Sequence, residues 1–246
     1  MNALVTPVNN SFATLRNVAE VMVLIEKLKG APQHMPRIGG FQGRAGAGKS
    51  MASIYAANAH GAVLVECRSN WTKKSFLQAV LKEAGARSMA KSAADMTDQA
   101  GELLGSTRRL LIVDEADQVL DKGYGETIRD IYEISRQPIL LVGEDQLEIK
   151  CAKIERLHSR VLKWVDAQPC DLADAQKLAA LYCRKVGVAD DLLTRLVEDV
   201  TGSARRICVN LDDIQEFGLT QGLDVVDATA WGSRSFNTGK SPVRQR

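Results

Sequence analysis

The chain has 246 residues, of which 45% are hydrophobic and 25% are charged, and its formal net charge is +2. These values are typical of a globular protein with one large domain, or with a core and a small second domain. The nearly balanced charge neither requires nor excludes nucleic acid as a partner. The distribution of charge along the chain is therefore more informative than its sum.

The cysteine and histidine patterns exclude several kinds of site. The five cysteines are scattered, odd in number and without a C-x-x-C pair, and the three histidines show no ligand spacing. This argues against a disulfide framework and a zinc site, and predicts reduced thiols in the cytoplasm. No apolar run approaches the ~18 residues of a membrane span and no signal-peptide pattern opens the chain, so we expect no membrane partner.

The first 36 residues predict one amphipathic helix, over residues 11–29. Ser11 or Thr14 can cap its start, and apolar residues recur at helical spacing until Gly30-Ala31-Pro32 ends it. Two roles are open for this helix, and both can hold together. It can pack on the core, and it can wall one side of an adenine pocket.

Residues 37–59 predict a strand, a glycine-rich loop and a helix. The strand covers residues 37–42 and the helix covers residues 51–59. The loop between them fits the pattern G-x-x-x-x-G-K-[ST] at every defined position. Its residues are Gly43, Arg44, Ala45, Gly46, Ala47, Gly48, Lys49 and Ser50.

The residue types of this loop suit a polyphosphate. Glycines let successive backbone N–H groups turn inward where a Cβ would obstruct the approach. Lys49 places a charge on the β and γ phosphates, and Ser50 offers a hydroxyl to Mg²⁺. Ser50 also opens the helix that continues with Met51, and helix N-termini attract anions. The loop therefore predicts ATP and Mg²⁺ as cofactors, bound by residues 43–51.

A basic segment follows the next predicted strand. Residues 62–67 are a nearly continuous apolar run, typical of a buried strand, and residues 71–85 predict a helix closed by glycine. Residues 68–91 hold six basic residues and one acid. They are either a solvated face or a contact for nucleic-acid phosphates. The candidates for DNA contact are Arg68, Lys73, Lys74, Arg87 and Lys91.

A second nucleotide-site signature occurs about 65 residues after the phosphate loop. A predicted helix over residues 92–107 is followed by an apolar strand that ends at Asp114 and Glu115. Asp114 is expected in the Mg²⁺ shell, and Glu115 can orient and deprotonate an attacking water. Residues 114–117 also spell Asp-Glu-Ala-Asp, as in a class of helicases. We discount that class because it needs two stacked ATPase domains.

The remaining elements complete an α/β core and a helical region. Helices over 124–136 and 146–160 alternate with strands over 138–143 and 161–165. Five strands opened by a phosphate loop predict a parallel sheet sandwiched by helices, over residues 37–168. Residues 169–220 predict a small all-α lid of three helices, ended by Gly187, Gly202 and Gly218, the first with Tyr182 and Val186 on its apolar stripe. Residues 221–246 are basic, and we expect a disordered tail.

Together these features resemble the AAA+ ATPases. Gly202-Ser203-Ala204-Arg205 matches the G-x-x-R motif of that family's lid. The resemblance implies that Arg205, as sensor 2, reaches the γ-phosphate. It also implies that Arg160, just before the fifth strand, is the arginine finger acting on a neighbouring subunit's nucleotide, with Arg156 as the alternative. Lys49, Glu115, Arg160, Arg205 and Glu144 are the expected catalytic residues.

Within AAA+, residues 72–77, 114–120 and 141–144 are similar to the transposition ATPases, the group of the phage Mu B protein, TniB and TnsC. The resemblance covers about residues 10–217 and departs from the group at two points. Mu B has an N-terminal helix-turn-helix domain, whereas only residues 1–36 precede the core here. Sensor 1 is usually Asn, Thr or Ser, whereas Glu144 follows the fourth strand. Either hydrolysis is slow, or the alignment differs by one residue.

The resemblance implies an ATPase of a transposable phage or mobile element, in the bacterial host cytoplasm. Such a protein assembles head-to-tail on double-stranded DNA with little sequence preference and delivers that DNA to a transposase. Hydrolysis then drives disassembly. Two alternatives stay open. One is a secretion or remodelling motor acting on a protein, and the other is a small-molecule kinase.

Overall fold

The computed structural model describes residues 13–32 and 34–239. These residues form two compact units. The larger unit comprises Asn17–Ala45 and Lys49–Ala167, and the smaller one contains residues 13–16, Gly46–Gly48 and residues 168–239. The predicted cap Ser11 and the basic tail residues Lys240, Arg244 and Arg246 lie outside the described residues.

The larger unit is built on a five-stranded sheet whose spatial order is β2-β3-β4-β1-β5, and every pairing in it is parallel. This confirms the predicted α/β fold. The strands are β1 (Ile38–Gln42), β2 (Val63–Glu66), β3 (Leu111–Asp114), β4 (Ile139–Gly143) and β5 (Val161–Asp166).

The three inner strands, β1, β3 and β4, are apolar because both faces of the sheet are covered. Every residue of β3 and β4 is buried, including the last residue of β3, Asp114. In β1, Gly40 lies against the ring of Trp164 on β5, and a side chain at this position would overlap the ring. All five strands point the same way. Their carboxyl ends therefore form one edge of the sheet, where the predicted nucleotide motifs lie.

Eight helices belong to the described part of this unit. They are α1 (Arg16–Gly30, from Asn17 onward), α2 (Lys49–His60), α3 (Lys73–Ala84), α4 (Ala93–Thr107), α5 (Asp117–Leu120), α6 (Gly125–Ser135), α7 (Leu147–Ala152) and α8 (Glu155–His158). The predicted helix over 146–160 is thus two short helices. In α1, Leu24 and Leu28 are buried beside Gly39 of β1.

The helix after β2 has clear start and stop signals. The Thr72 side chain accepts a hydrogen bond from the Ser75 N–H, and Gly85 closes α3 in the left-handed conformation. Helix α4 packs against both α3 and α6, and small residues permit the close approach. A Cβ on Gly101 would lie 2.5 Å from Ile134. Helix α3 carries part of the basic segment, and α6 carries Glu133, which is described below.

The smaller unit is mainly helical but not all-α, so that prediction is corrected. It contains α9 (Leu172–Tyr182), α10 (Asp190–Asp199), α11 (Ala204–Gln221) and α12 (Ala228–Trp231). Two short strands, β6 (Gly187–Val188) and β7 (Val225–Val226), pair in parallel. Two-residue strands are too short to give a periodic signal in the sequence.

Three details of this unit differ from the prediction. Helix α9 ends at Tyr182, which is exposed, so Gly187 does not end it. Gly218 lies inside α11, where a Cβ would be 2.6 Å from Val186 Cγ1, and the helix continues to Gln221. Trp231 is buried and stacks on Phe236. The tail is therefore ordered as far as residue 239, and the expectation of disorder is wrong for that part.

Two further observations complete the fold. The first N–H of α1, from Arg16, donates to Asp174 Oδ1 at 2.9 Å rather than to the predicted cap Thr14. None of the described helices combines the length and the apolar character that a membrane crossing requires.

Candidate functional site

The phosphate loop joins the end of β1 to the start of α2. Gly46 and Gly48 both have a φ of 84°, a left-handed conformation that side chains rarely adopt. This explains why the chain has glycine at these two positions, of which Gly48 is a defined position of the motif. The turn delivers Lys49 as the first residue of α2 and Ser50 as the second. Met51 follows with its side chain partly exposed.

Lys49 is the buried cation of this loop. Only 8% of the residue is exposed, and its Nζ donates to the carbonyls of Gly43 at 2.5 Å and of Arg44 at 3.0 Å. Both partners are neutral, so no carboxylate neutralises the ammonium by direct contact. Burying an ammonium without an anionic partner is unfavourable. A phosphate at the loop would supply that partner.

Asp114 ends β3 as a buried carboxylate with 3% exposure. Burial raises its pKa, whereas hydrogen bonds from the Ser50 side chain and the Glu115 N–H lower it. The Ser50 bond joins the phosphate loop to the end of β3. The two residues predicted to bind Mg²⁺ are thus brought together, as the sequence required.

Glu115 adopts a φ of 53°, a conformation uncommon for glutamate, immediately after β3. Burial raises the pKa of its carboxyl, and the nearby negative charge of Asp114 raises it further. Lys49 acts in the opposite direction. A carboxylate with a raised pKa is a better proton acceptor near neutral pH, which suits the predicted role of Glu115 as a general base.

Asp117 is a site residue whose role the sequence did not reveal. It is 2% exposed, and its Oδ2 accepts a hydrogen bond from the Glu144 N–H at 2.7 Å. Its other oxygen lies 3.2 Å from Lys150 Nζ, which also contacts Asp121 at 2.7 Å. A side chain on Gly143 would collide with Asp117. Asp117 therefore fixes the backbone at the end of β4, next to β3. Its only sequence signal was its place three residues after Asp114.

Glu144, the predicted sensor 1, has an exposed side chain at the end of β4. It lies close enough to Glu115 to raise the pKa of that carboxyl. Glu144 also lines a cavity of about 350 Å³, together with Arg44, Ala45, Asp117, Asp145, Gln146 and Lys150. The positive charges of Arg44 and Lys150 partly offset the negative charges of Asp117, Glu144 and Asp145 in this cavity.

The described residues contain no group of three or more His, Cys, Asp or Glu side chains arranged to hold a metal ion. Ser50 and Asp114 alone would give two oxygen ligands. This donor set fits Mg²⁺, which usually takes only one or two protein ligands and completes its shell with water and phosphate oxygens. It does not fit a metal that requires a full set of protein ligands.

The basic segment is only partly gathered into one surface. Arg68 lies over the ring of Trp71 at 5.9 Å, and Lys73 lies over the ring of Tyr124 at 5.8 Å. Lys122, from the loop after α5, donates to the Trp71 carbonyl at 2.7 Å. We call these five residues the basic-aromatic surface. It follows the carboxyl ends of β2 and β3, on the same edge of the sheet as the phosphate loop.

The other candidates have different surroundings. Lys74 is exposed next to Lys73, and the exposed Arg87 and Lys91 lie on the loop between α3 and α4. Among the described residues, none of the five candidates for DNA contact forms an ion pair with an acid. Sequence reasoning missed Lys122 and Tyr124 because they come from a separate loop, and it missed Trp71 because only the structure places the ring of Trp71 under Arg68.

The predicted arginines occupy distinct places. Arg160 precedes β5 at the opposite edge of the sheet from the phosphate loop, and its Nε donates to Glu133 at 2.6 Å. Arg156 is exposed on α8. Within the smaller unit, the Arg205 N–H donates to the Gly46 carbonyl at 3.3 Å, and its exposed side chain bonds to no described residue. The roles of these arginines stay predictions.

The parallel sheet, the glycine-rich loop with Lys49, and the acids that follow β3 define a P-loop ATPase. Residues 34–150 match the family model described as an AAA domain. The chain thus contains an AAA-type P-loop ATPase domain.

Several solved structures have a similar fold. The Aeropyrum pernix ORC2 protein aligns with a TM-score of 0.59 and 16% identity, over 90% of this chain and 64% of that chain. Cdc6p from Pyrobaculum aerophilum aligns with a TM-score of 0.59 and 12% identity, over 91% and 66%. The Aeropyrum pernix ORC1 protein in complex with DNA aligns with a TM-score of 0.57 and 16% identity, over 85% and 61%.

Because the sequence identities are only 12–16%, these similarities show the fold alone. The chain spans less than two thirds of the length of either Aeropyrum protein. No curated protein sequence matches the chain. The resemblance to the transposition group in particular stays a prediction.

Proposed function

We propose that this protein is an ATP-dependent, sequence-nonspecific DNA-binding ATPase that assembles head-to-tail on duplex DNA and delivers it to a transposase. The observation that carries the DNA part is the basic-aromatic surface. Its cations, Arg68, Lys73 and Lys122, have no described acid as partner, and they lie on the same edge of the sheet as the phosphate loop. Unpaired cations on one edge attract phosphates without reading bases.

The nucleotide site supplies the ATP dependence. Lys49 would bind the β and γ phosphates through the ammonium that now contacts only carbonyls. Ser50 and Asp114 would hold Mg²⁺, which neutralises phosphate charge when bound. Glu115 would orient the attacking water and accept its proton. Glu144 adds a negative charge near Glu115, at a position where the resemblance to AAA+ ATPases implies Asn, Thr or Ser, so we expect slow hydrolysis that acts as a timer.

Assembly would follow from the position of Arg160. Its strand, β5, pairs with β1, and Arg160 stands at the start of β5 whereas the phosphate loop leaves the end of β1. Five residues of strand span about 17 Å, so Arg160 would act on the nucleotide of a neighbouring protomer rather than on its own. Contacts to the γ-phosphate would then be complete only in the assembled state, and ATP would favour assembly. Hydrolysis would reverse it.

The Aeropyrum pernix ORC1 protein, whose solved structure is a complex with DNA, has a similar fold. It supports DNA as the partner, in preference to the protein substrate of a secretion or remodelling motor. The basic-aromatic surface also favours DNA, because its unpaired cations suit phosphates and a motor that threads protein does not require them. A metabolite kinase gives Arg160 and Arg205 no role.

The test combines DNA binding with particle size. Fluorescence anisotropy with random-sequence duplex DNA would be measured without nucleotide, with ATP, and with a slowly hydrolysed ATP analogue, alongside light scattering. We expect tight, salt-sensitive binding and large particles only with ATP or the analogue. Glu115→Gln should remain on DNA after wild-type protein dissociates. A protein that stays monomeric and ignores DNA at saturating Mg·ATP would refute the proposal.

Delivery to a transposase needs its own experiment. Integration by the transposase of the same mobile element would be mapped on a mixture of bare DNA and DNA preloaded with this protein and the ATP analogue. We expect insertions to favour the preloaded DNA. Equal insertion into both DNAs would remove this part of the proposal while leaving ATP-dependent DNA binding intact.

A further inference from the structure

Three arginines precede parallel strands at the amino edge of the sheet: Arg37 and Arg160 by one residue and Arg109 by two. Arg37 donates from its side chain to the carbonyls of Leu28, Lys29 and Arg136. Arg109 donates to the carbonyls of Gly61 and Ala62 at 2.8 and 3.1 Å, and reaches the last turn of α3. Both guanidinium groups are therefore occupied by backbone acceptors and tie elements of the fold together.

Arg160 differs from these two arginines. Its Nε donates to Glu133 Oε1 at 2.6 Å, and its Nη1 donates to the Ser159 hydroxyl at 3.2 Å. Its Nη2 has no hydrogen-bond partner among the described residues, and 42% of the side chain is exposed. Nε and Nη1 of this guanidinium are thus anchored, whereas Nη2 can still donate hydrogen bonds.

The anchor is itself supported. Glu133 lies on α6, and its second oxygen, Oε2, forms an ion pair with Arg136 Nη1 at 2.8 Å. Glu133 is only 21% exposed, and the hydrogen bond from Arg160 lowers its pKa. Each carboxylate oxygen therefore holds one arginine. Arg136 leaves Glu133 with one oxygen free to orient Arg160, so the carboxylate does not chelate Arg160 through both oxygens.

We propose that Glu133 is a positioning residue that orients Arg160 toward the nucleotide of the neighbouring protomer. An arginine side chain loses much rotamer freedom when it is fixed, and a preformed contact at Nε removes part of that cost before assembly. Nη2, which has no hydrogen-bond partner among the described residues, is then available for a phosphate oxygen. This inference rests on the proposed trans role of Arg160 and adds the residue that prepares it.

The experiment measures DNA-stimulated ATPase activity of full-length variants. Glu133→Ala should lower kcat about tenfold, because a misplaced charge stabilises the transition state poorly. Affinity of the nucleotide for the unassembled protomer should change by less than about twofold, because Glu133 is remote from the phosphate loop. Glu133→Gln keeps an oxygen that can accept from Nε, so it should recover most of the activity.

A matched control lies on the same helix. Glu126 pairs with Arg129 at 3.0 Å and makes no contact with Arg160. Glu126→Ala removes the same charge and a similar ion pair from α6, and its kcat should stay within about twofold of wild type. If Glu133→Ala does not fold, Arg136→Ala is the second variant. It frees Glu133 to rotate and should give a smaller loss of kcat.

Mixing separates an effect in trans from a local defect. A Glu115→Gln protomer does not hydrolyse ATP but carries an intact Glu133 and Arg160. Added to Glu133→Ala protomers, it should raise their ATPase several-fold, because it presents a correctly oriented arginine to their intact sites. The same rescue is expected for Arg160→Ala protomers.

The outcomes distinguish the two proposals. Rescue of Arg160→Ala but not of Glu133→Ala would show that Glu133 does not act through Arg160, and would overturn the inference alone. Wild-type kcat in Glu133→Ala would overturn it as well. Failure of Glu115→Gln to rescue Arg160→Ala would reject the trans role of Arg160, and with it both the proposed assembly mechanism and this inference.

Discussion

The cations at the two edges of the parallel sheet have different kinds of partner. At the amino edge, Arg37 and Arg109 donate to backbone carbonyls of neighbouring elements. At the carboxyl edge, Lys49 has only neutral partners, and Arg68 and Lys73 rest over aromatic rings without an acid. At the amino edge, Arg37 and Arg109 thus connect separate elements of the fold, and Arg160 keeps Nη2 without a described partner. At the carboxyl edge, Lys49 contacts only carbonyls of its own loop, and Arg68 and Lys73 contact no described acid.

The difference indicates how the fold divides its tasks. Cations whose acceptors lie on several separate elements stabilise the fold, and their removal lowers the free energy of unfolding. Cations that contact only their own loop or an aromatic ring connect no separate elements, so we expect them to add less to stability and to serve a bound phosphate. Asp114 and Glu115 show the same property with opposite charge, because burial raises the pKa of both at the carboxyl edge. The comparison predicts opposite phenotypes for similar substitutions at the two edges.

The largest expected effect is at the phosphate loop. Lys49→Ala should weaken ATP binding by about 100-fold or more, since it removes the charge that faces the β and γ phosphates. Its thermal stability without nucleotide should be close to that of wild type. Titration with a fluorescent ATP analogue measures the affinity. Near-normal binding would break the proposed division between the edges.

Charge reversal on the basic-aromatic surface should come next. Replacing Lys73 and Lys74 by Glu should weaken binding to duplex DNA about thirtyfold at low salt, equally on all sequences. The slope of log affinity against log salt should fall by about two. Anisotropy titrations at several salt concentrations measure both quantities.

The pair Arg87 and Lys91 provides the matched comparison, since replacing both by Glu makes the same change of charge on the loop between α3 and α4. We expect a smaller loss of affinity there, because that loop is tied to Gln99 of α4 rather than to the surface after β2 and β3. An equal loss would mean that the whole basic segment binds DNA.

At the amino edge, Arg109→Met should lower the free energy of unfolding by about 1–3 kcal/mol, because several carbonyls lose a charged donor. Affinity for ATP should be unchanged. The neighbouring Arg108, an exposed helix cap, is the control, and Arg108→Met should change stability by less than about 0.5 kcal/mol. Urea unfolding measures the difference. An ATP-binding defect in Arg109→Met would contradict the comparison.

The smallest expected effect concerns thiol reactivity. Burial raises the pKa of Cys67 to about 12, and the nearby acids Asp114 and Glu115 add to this. The thiol therefore stays protonated at pH 8 and should resist iodoacetamide in the native protein. Cys208 is less buried and should be modified first. Mass spectrometry of alkylated protein checks the order. Rapid alkylation of Cys67 would show that the carboxyl edge opens to solvent.

Local signals in the sequence were sufficient to predict the parallel sheet and the approach of the phosphate loop to the end of β3. The phosphate loop is one continuous motif, and the apolar runs that end at Asp114 and Gly143 are typical of strands buried on both faces. Parallel strands then bring Ser50 and Asp114 to the same edge without further information. These parts needed only the order of elements along the chain.

Contacts between distant positions were not predictable in this way. Glu133 and Arg160 are 27 residues apart and meet only because α6 passes the start of β5. The bond between Asp117 and Glu144 likewise joins residues 27 apart. Gly218 was predicted to end a helix, since glycine commonly does so, but close packing against Val186 explains it. Such features depend on tertiary packing, which a single sequence does not display.

The pairing of β1 with β5 has a consequence for how the proposed rows of protomers would grow. Residues 38–42 of β1 run alongside β5, so the nucleotide loop and Arg160 lie at opposite tips of adjacent strands. Each protomer would thus present a nucleotide loop at one end of these strands and Arg160 at the other. A row built from such units has two chemically different termini. At one terminus a nucleotide loop receives no Arg160, and at the other an Arg160 has no neighbouring nucleotide. Turnover would then be slowest at a single terminus, which would give the row a fixed polarity of growth and loss.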